Sequence, residues 1–317
     1  MTELQRAPGQ SQESRLTVVV AFATNLLIAV AKSVAALITG SASMVAEAAH
    51  SWADTGNEVL LLVAQRRGAR PADDRHPFGH GRETYVWALF AAVGLFAVGA
   101  AVSVQHGISE LLTPEPAQSF GVAYVVLAIA FVLEGVSFAQ STRQARDEAH
   151  EIDRELLEHV VATSDPTLRA VFAEDAAALV GIAIAFAGVG LHQVTGSPVP
   201  DAIGSIVVGL LLGVVSVLLI DRNRRFLVGE AVSPALRKAA LQRLLAEEEV
   251  LAVTYLLMEF AGPRQITLLA RVDLVADNPE SQVAATLADL ERRIETEPAI
   301  ATAILAPAHP GSPPLVP

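Results

Sequence analysis

Glu47, His50, Asp54, Asn57 and Glu58 lie close together inside a stretch of chain that is otherwise apolar, Ser43-Ala-Ser-Met-Val-Ala-Glu47-Ala-Ala-His50-Ser-Trp-Ala-Asp54-Thr-Gly-Asn57-Glu58. An isolated carboxylate or imidazole costs several kcal/mol to strip of water, so a lipid-facing helix does not collect them. Their spacing in a helix stacks them along one face, which must point into a bundle or a water-filled path. His50 and Asp54, four residues apart, can direct one nitrogen and one oxygen at a single cation. Mixed ligation of that kind suits zinc and similar borderline ions. The plainer reading, a hydrogen-bonded cluster that only ties helices together, accounts poorly for so many ionisable groups in one helix.

A second apolar run carries Ala173-Glu174-Asp175-Ala-Ala-Ala-Leu-Val-Gly181. Adjacent helical positions point about 100° apart, so one of the two carboxylates faces a given partner directly, and Asp175 is the candidate ligand. For Glu174 three readings stay open: a second ligand, a proton acceptor, or a carboxylate at the cytoplasmic mouth. Between these runs lies Asp73-Asp-Arg-His76-Pro-Phe-Gly-His80-Gly-Arg82. Asp73, His76 and His80 within eight residues, with Pro and Gly shaping the turn, make a second candidate metal site. The bland alternative is a solvated loop that carries them idly.

These residues need elements to hold them in place. The chain has 317 residues, 52% of them hydrophobic and only 18% charged, with a formal net charge of −12 and a mean hydropathy of +0.44. Charge-poor runs alternate with short charged segments, as in a polytopic membrane protein. Cysteine is absent, which excludes disulfides, thiolate metal sites and Cys nucleophiles and leaves His, Asp and Glu as the strong metal ligands. The first 15 residues are polar and no cleavable signal is expected. Apolar runs at about 16–39, 43–65, 84–112, 119–141, 167–192 and 199–221 are each long enough to cross a bilayer as a helix.

The joints separate by charge. Arg66, Arg67, Arg70, Arg75 and Arg82 fall in one, Arg143, Arg146 and Arg154 in another, and Arg222, Arg224 and Arg225 follow the sixth run. The joints near 40–43, 113–119 and 192–200 hold no Lys or Arg. Both termini and the charged loops are therefore expected on the cytoplasmic side of an integral membrane protein, in a bacterial-type plasma membrane. Lys32 and Asn25 are unusual in the first run; Lys32 either snorkels or pairs with a carboxylate. Glu134 is a similar oddity in the fourth. Gly94, Gly99, Gly204, Gly209 and Gly213 are expected to permit close helix packing. The histidines at 106, 150, 159, 192 and 309 read as surface or membrane-edge residues.

The segment Ser141–Val161 reads as a helical extension of the fourth run, broken at Asp165-Pro166. After residue 225 the pattern is that of a soluble domain. A helix is expected at 233–248, strands at 250–260 and 265–274, a second helix at 279–295 and a last strand at 300–305. That αββαβ order suits a small sheet covered by two helices on one face. The division expected is thus a disordered tail over 1–15, a membrane domain over 16–225, a cytoplasmic domain over 226–306, and a disordered Pro-rich tail over 307–317.

With these motifs in hand, the chain resembles the cation diffusion facilitator family. The resemblance runs from about residue 15 to 305. It rests on the six-run layout, the Ser43 to Asp54 segment, the Asp73 to Arg82 loop and the αββαβ tail. It implies export of Zn2+ or a related divalent ion by a homodimer, in exchange for protons, with a cytoplasmic domain of ferredoxin-like fold. It also implies a transport site built from His50 and Asp54 in the second helix and Asp175 in the fifth. The histidine that the family places in that fifth helix falls here at Val171. Glu174-Asp175-Ala-Ala-Ala and Val104-Gln-His106-Gly-Ile-Ser-Glu resemble the subgroup of the mitochondrial zinc transporter, family member nine.

One imidazole with two or three carboxylates makes the site richer in oxygen, which moves the balance toward Mn2+ while Zn2+ stays the first choice. Glu47 joins Glu174 as a candidate fourth ligand. The mechanism expected is alternating access, with protonation of His50 competing the metal off. Between Phe226 and Pro307 there is no histidine, so the cytoplasmic domain is expected to dimerise rather than bind regulatory zinc. The partners expected are a divalent cation, protons, the lipid bilayer and a second copy, with no nucleic acid and no resident cofactor. An enzyme is not expected, since no HExxH or similar motif occurs. Aromatics at 5% argue against an organic-cation cavity. A metal sensor or scaffold without transport is the alternative.

Overall fold

A computed structural model describes residues 10–114, 119–151, 154–275 and 279–316. The chain divides into two compact units, one formed by residues 1–63 and 87–222, the other by 64–86 and 223–317.

The regular structure among the first unit's described residues is helical. Helices α1 (Gln10–Thr39) and α2 (Ala42–Gly68) are followed by α3 (Glu83–Gly94), a π-helical turn at Leu95–Ala100, and α4 (Ala101–Leu112). Then come α5 (Phe120–Glu151), α6 (Leu156–Ala162), α7 (Pro166–Thr195) and α8 (Val199–Val228). Helix α1 starts at Gln10, so residues 10–15 are helical where a disordered tail was expected; residues 1–9 lie outside the described residues.

Four stretches are long and apolar enough to cross a membrane: Glu83–Leu112, Phe120–His150, Pro166–Thr195 and Val199–Val228. Their outward positions carry large apolar side chains, among them Ile129, Phe131, Val132 and Val136 on α5, a pattern that suits lipid rather than water. Helix α1 contributes only a shorter apolar piece among the described residues, Asn25–Thr39. Helix α2 is long enough, but Glu47, Asp54 and Glu58 dilute its apolar character. The residues that make α2 interesting are those that blunt its signal as a span.

The break expected at Asp165-Pro166 is present, and α7 starts there. Asp165 Oδ1 accepts from the backbone N–H of Thr167 (2.9 Å) and Leu168 (3.3 Å), with Pro166 in the first turn of α7. Proline has no N–H to lose there, and the carboxylate satisfies two of the free donors. The extension of the fourth run likewise ends sooner than expected, at Glu151, with α6 a separate short helix. Gly196, in the left-handed region at φ 68°, closes α7 as glycine commonly does.

Glycine lets helices approach in places. A Cβ on Gly107 would lie 2.7 Å from Ala202 O, on Gly209 2.7 Å from Val104 Cγ2, and on Gly204 2.7 Å from Ser43 Oγ. Gly99 packs against Leu212, Gly213 has only ordinary neighbours, and Gly94 faces open space and carries no such role.

In the second unit, α9 (Pro234–Leu245), β1 (Val250–Gly262), β2 (Gln265–Leu274), α10 (Glu280–Ile294) and β3 (Ile300–Pro307) follow the expected αββαβ order. The sheet runs β1-β2-β3, antiparallel between the first two and parallel between the last. Leu241 and Leu244 of α9 and Leu287 and Leu290 of α10 share one core with Val253, Leu256, Met258, Leu268, Val272 and Leu305. Alternation along the strands, reset in β1 by a bulge between Val253 and Tyr255, sends these residues into one core with both helices. The Pro-rich tail is a correction to the sequence reading. Ala308 N–H bonds Val272 O at 2.8 Å and Leu315 N–H bonds Val253 O at 2.7 Å, and the Leu315 side chain packs against the same core. A backbone donor and an apolar anchor hold it in place.

Candidate metal site

The residues of α2 meet partners from α1 and α7. Lys32 Nζ donates to Glu47 Oε2 at 2.9 Å, and both side chains are fully buried. Lys32 therefore pairs rather than snorkels. Glu47, named above as a candidate fourth ligand, has one oxygen committed to an ammonium; its other oxygen, Oε1, lacks a hydrogen-bond partner. That oxygen occupies the space where a Cβ on Gly181 would sit, 2.6 Å away, so glycine at 181 makes room for it.

One helical turn on, His50 is fully buried. Its Nδ1 lies 3.4 Å from Asp54 Oδ1, yet neither ring nitrogen nor that oxygen makes a hydrogen bond. Buried polar atoms are seldom left this way, and a cation is the partner that an imidazole nitrogen and a carboxylate oxygen share. On α7, Asp175 Oδ2 accepts from Ser137 Oγ at 2.8 Å and Ser141 Oγ at 3.3 Å, both on α5. Glu174 accepts from Asn57 Nδ2 of α2 through both its oxygens. The two adjacent carboxylates thus face different neighbours, one toward α5 and one toward α2, as a rotation of about 100° per residue requires.

A cavity of about 560 Å3 joins these groups; Asp54, Asn57, Glu134, Val171, Glu174 and Asp175 are among its lining residues. Sequence reasoning picked out Asp54, Glu174 and Asp175, and all three line it. His50 touches Asp54 but does not line the cavity. Ser137 and Ser141 were missed, since hydroxyls in an apolar helix are ordinary and nothing in their spacing singles them out. Glu58, which accepts from Asn25 Nδ2 at 3.2 Å, and Glu134 add acidic character to the same space.

The loop candidates come together more tightly. Among the described residues, Asp73, His76 and His80 are the group whose ligand atoms all lie within 4.8 Å of one another. Asp73 Oδ1 accepts from the backbone N–H of Arg75 (2.9 Å) and His76 (2.8 Å), which folds the loop around the carboxylate. Asp73 Oδ2 sits 3.1 Å from His80 Nε2, and Glu83 Oε1 3.0 Å from His80 Nδ1. Hydrogen bonds to Asp73 and then Glu83 push the His80 imidazole above its ordinary value. The same bond from His80, with the His76 backbone N–H, holds the Asp73 carboxyl well below the usual carboxylate range. The loop rests on the sheet of its own unit: a Cβ on Gly81 would lie 2.7 Å from Ala261 O, and Arg82 pairs with Glu259 of β1.

His159 and His192, expected at the surface or the membrane edge, are both buried within the fold. His159 Nε2 lies 3.3 Å from Glu148 Oε2 on α5. His192 Nδ1 lies 4.0 Å from Asp201 Oδ2, with its ring edge-on to Phe120. Asp201 also caps α2, accepting from Ala42 N–H at 2.9 Å and Ser43 N–H at 3.3 Å.

Carboxylates and an imidazole gathered among apolar helices, with a small αββαβ unit after them, define a class that the comparisons name. Residues 18–228 match the model of the cation efflux transmembrane domain. The chain belongs to the cation efflux family, the cation diffusion facilitators. It is 36% identical over 256 residues to a Xenopus laevis protein named proton-coupled zinc antiporter SLC30A9, mitochondrial, covering 81% of this chain and 46% of that protein. Identity to metal tolerance protein C4 of Arabidopsis thaliana is 33% over 271 residues, or 86% of this chain and 59% of that one. A cation-efflux pump FieF from Shewanella oneidensis is 37% identical over 112 residues, 35% of this chain and 37% of that protein. The chain thus spans about half the length of the first two relatives.

Proposed function

We propose that the protein is a divalent-cation efflux transporter that exchanges its cargo for protons, with Zn2+ as the first cargo and Mn2+, Co2+ and Fe2+ as its rivals. The observation that carries this reading is the convergence of Asp54, Glu174 and Asp175 on one cavity among apolar helices, with the unbonded ring of His50 beside Asp54. In this reading α1 and α2 join the four apolar stretches to make six spans. Metal enters from the side that holds both termini, and Asp54 and Asp175 bind it, with His50 and Glu174 as neighbouring ligands. The helices rock, the cavity opens to the other side, and protons take the places of the metal on the imidazole and carboxylates.

Glu47 drops to a supporting part, because Lys32 already neutralises it. The Asp73, His76 and His80 loop serves as a second metal site on the terminal side, and the αββαβ domain joins two copies. Two relatives aligned over most of the chain are named for zinc antiport or metal tolerance, which supports cargo and coupling alike. The first of them is named mitochondrial, so the expectation of a bacterial-type plasma membrane gains nothing from it and is not carried forward.

The test is uptake by vesicles reconstituted with the protein, offered Zn2+, Mn2+, Co2+, Fe2+ or Cd2+ under an imposed pH gradient. Zn2+ flux that moves protons the opposite way is expected, lost in Asp54→Ala and His50→Ala. Flux retained in Asp54→Ala would sink the assignment, and bound metal without flux would turn it into a sensor.

A further inference from the structure

We infer that Asn57 is a ligand of the transported cation, presenting its carboxamide oxygen Oδ1 to the metal held by Asp54, Glu174 and Asp175. The inference rests on the transport reading above and adds to it a neutral oxygen donor.

Three observations carry it. First, Asn57 lies three residues after Asp54 on α2 and lines the same cavity as all three carboxylates, so a cation bound there is within the reach of one side chain. Second, the orientation of its amide is fixed by chemistry. As a metal ligand Glu174 is ionised and can only accept, and it takes the Asn57 Nδ2 group with both its oxygens. The opposite end of the amide must then be the carbonyl. Third, that carbonyl oxygen has no hydrogen-bond partner although the residue is 2% exposed.

An acceptor without a donor, set among carboxylates that are themselves acceptors, is unfavourable with nothing else present. A metal cation removes the conflict, since every oxygen in the cavity attracts it. Asn57 draws Glu174 toward α2, so the carboxylate and the amide oxygen approach a bound ion from neighbouring positions. Val171, which lines the cavity on the α7 side, offers no donor, and Asn57 makes up the coordination number from α2. Amide oxygens are harder donors than imidazole nitrogens, so this choice shifts the site toward Mn2+ relative to one with a second imidazole.

The experiment is equilibrium binding of Zn2+ and of Mn2+ to the full chain purified in detergent. It is made in a His76→Ala/His80→Ala background so that the loop does not contribute. Asn57→Leu removes both ends of the amide and is expected to weaken binding of both ions at least 10-fold. Asn57→Asp keeps an oxygen and loses the N–H donor to Glu174; it is expected to bind both ions at least as tightly as the background protein. Asn57→His is expected to raise the Zn2+ over Mn2+ preference at least 10-fold.

If Asn57 only positions Glu174, the Leu and Asp variants weaken binding equally, and that result overturns the inference. Unchanged binding in Asn57→Leu overturns it too. Should the Leu variant fail to fold, the Asp and His variants still decide between ligand and positioning roles. A background protein that binds neither ion defeats the transport reading itself, which separates that failure from this one.

Discussion

Lys32 and Glu47 form an ion pair 2.9 Å long whose two side chains are wholly shut off from solvent. It joins α1 to α2 within a turn of His50, and it pairs two ionisable groups in a place where either one alone would be costly. A buried pair of this kind adds little over an apolar pair of equal volume, but losing one partner strands the other. Lys32→Met should therefore destabilise the protein by about 3–5 kcal/mol. Lys32→Met/Glu47→Leu should recover most of the loss. Thermal unfolding in detergent compares them, and a double variant as weak as the single one would mean that the pair matters for more than charge balance.

The hydroxyls of Ser137 and Ser141 orient the Asp175 carboxylate from α5. Residues that steer a ligand without touching the metal are worth about 10–100-fold in affinity. Ser137→Ala/Ser141→Ala should weaken Zn2+ binding by about 10-fold while leaving maximal flux nearly intact, and vesicle uptake at graded Zn2+ concentrations separates the two effects.

The loop should respond to pH in a defined direction. His80 is raised above its ordinary 6.5 by Asp73 and Glu83, so its proton stays on to a higher pH than in a free imidazole. The stabilisation from that pairing is complete below pH 6.5 and is lost as pH rises through the raised value. Asp73 is depressed, so its own contribution is present above its ordinary 3.8 and is lost only in strong acid. Metal must displace the His80 proton, so Zn2+ affinity of the loop should climb as pH passes the His80 transition. NMR of the His80 ring should show that transition falling in Asp73→Asn.

Asp201 bonds two free N–H groups at the start of α2 from a position 159 residues away in sequence. Loss of a capping carboxylate costs about 0.5–2 kcal/mol, and the cap here also ties α2 to α8. Asp201→Ala should lower the unfolding temperature, whereas Asp201→Asn, which keeps one acceptor, should lose less. Equal losses in the two variants would show that the charge rather than the acceptor matters.

Much of the architecture was legible in the sequence because apolar runs and strand alternation are local signals. The αββαβ unit appeared with its bounds nearly in place, since Leu256 and Met258 of β1 and Ile266, Leu268, Ala270 and Val272 of β2 recur at every second position as buried residues. Asp54, Glu174 and Asp175 declared themselves as carboxylates where lipid would reject them. What stayed hidden depends on partners far away in the chain. Glu47 looked as eligible a ligand as Asp54 until Lys32 was seen to hold it. Ser137 and Ser141 are unremarkable in type, and only packing gives them a part.

The tail was misread because Pro-rich composition carries no trace of the single leucine, Leu315, that anchors it. Asp165-Pro166 was read as the break before the fifth run, and α7 does start there; what composition could not show is that the Asp165 carboxylate itself caps the new helix.

The π-helical turn at Leu95–Ala100 has a consequence for how the third stretch meets α8. Such a turn takes up one residue more than an α-helical path would, which advances everything after it by about 100° around the helix axis. The residues that profit are Ser103, whose carbonyl accepts from Ser205 Oγ at 2.8 Å, and Gly107, pressed against Ala202. Deleting one residue between 95 and 100 would leave an unbroken helix and still turn both of them away from α8. The helix works there as a phase shifter: the stretch faces α8 both before and after the turn, and one surplus residue keeps Ser103 and Gly107 in step with it.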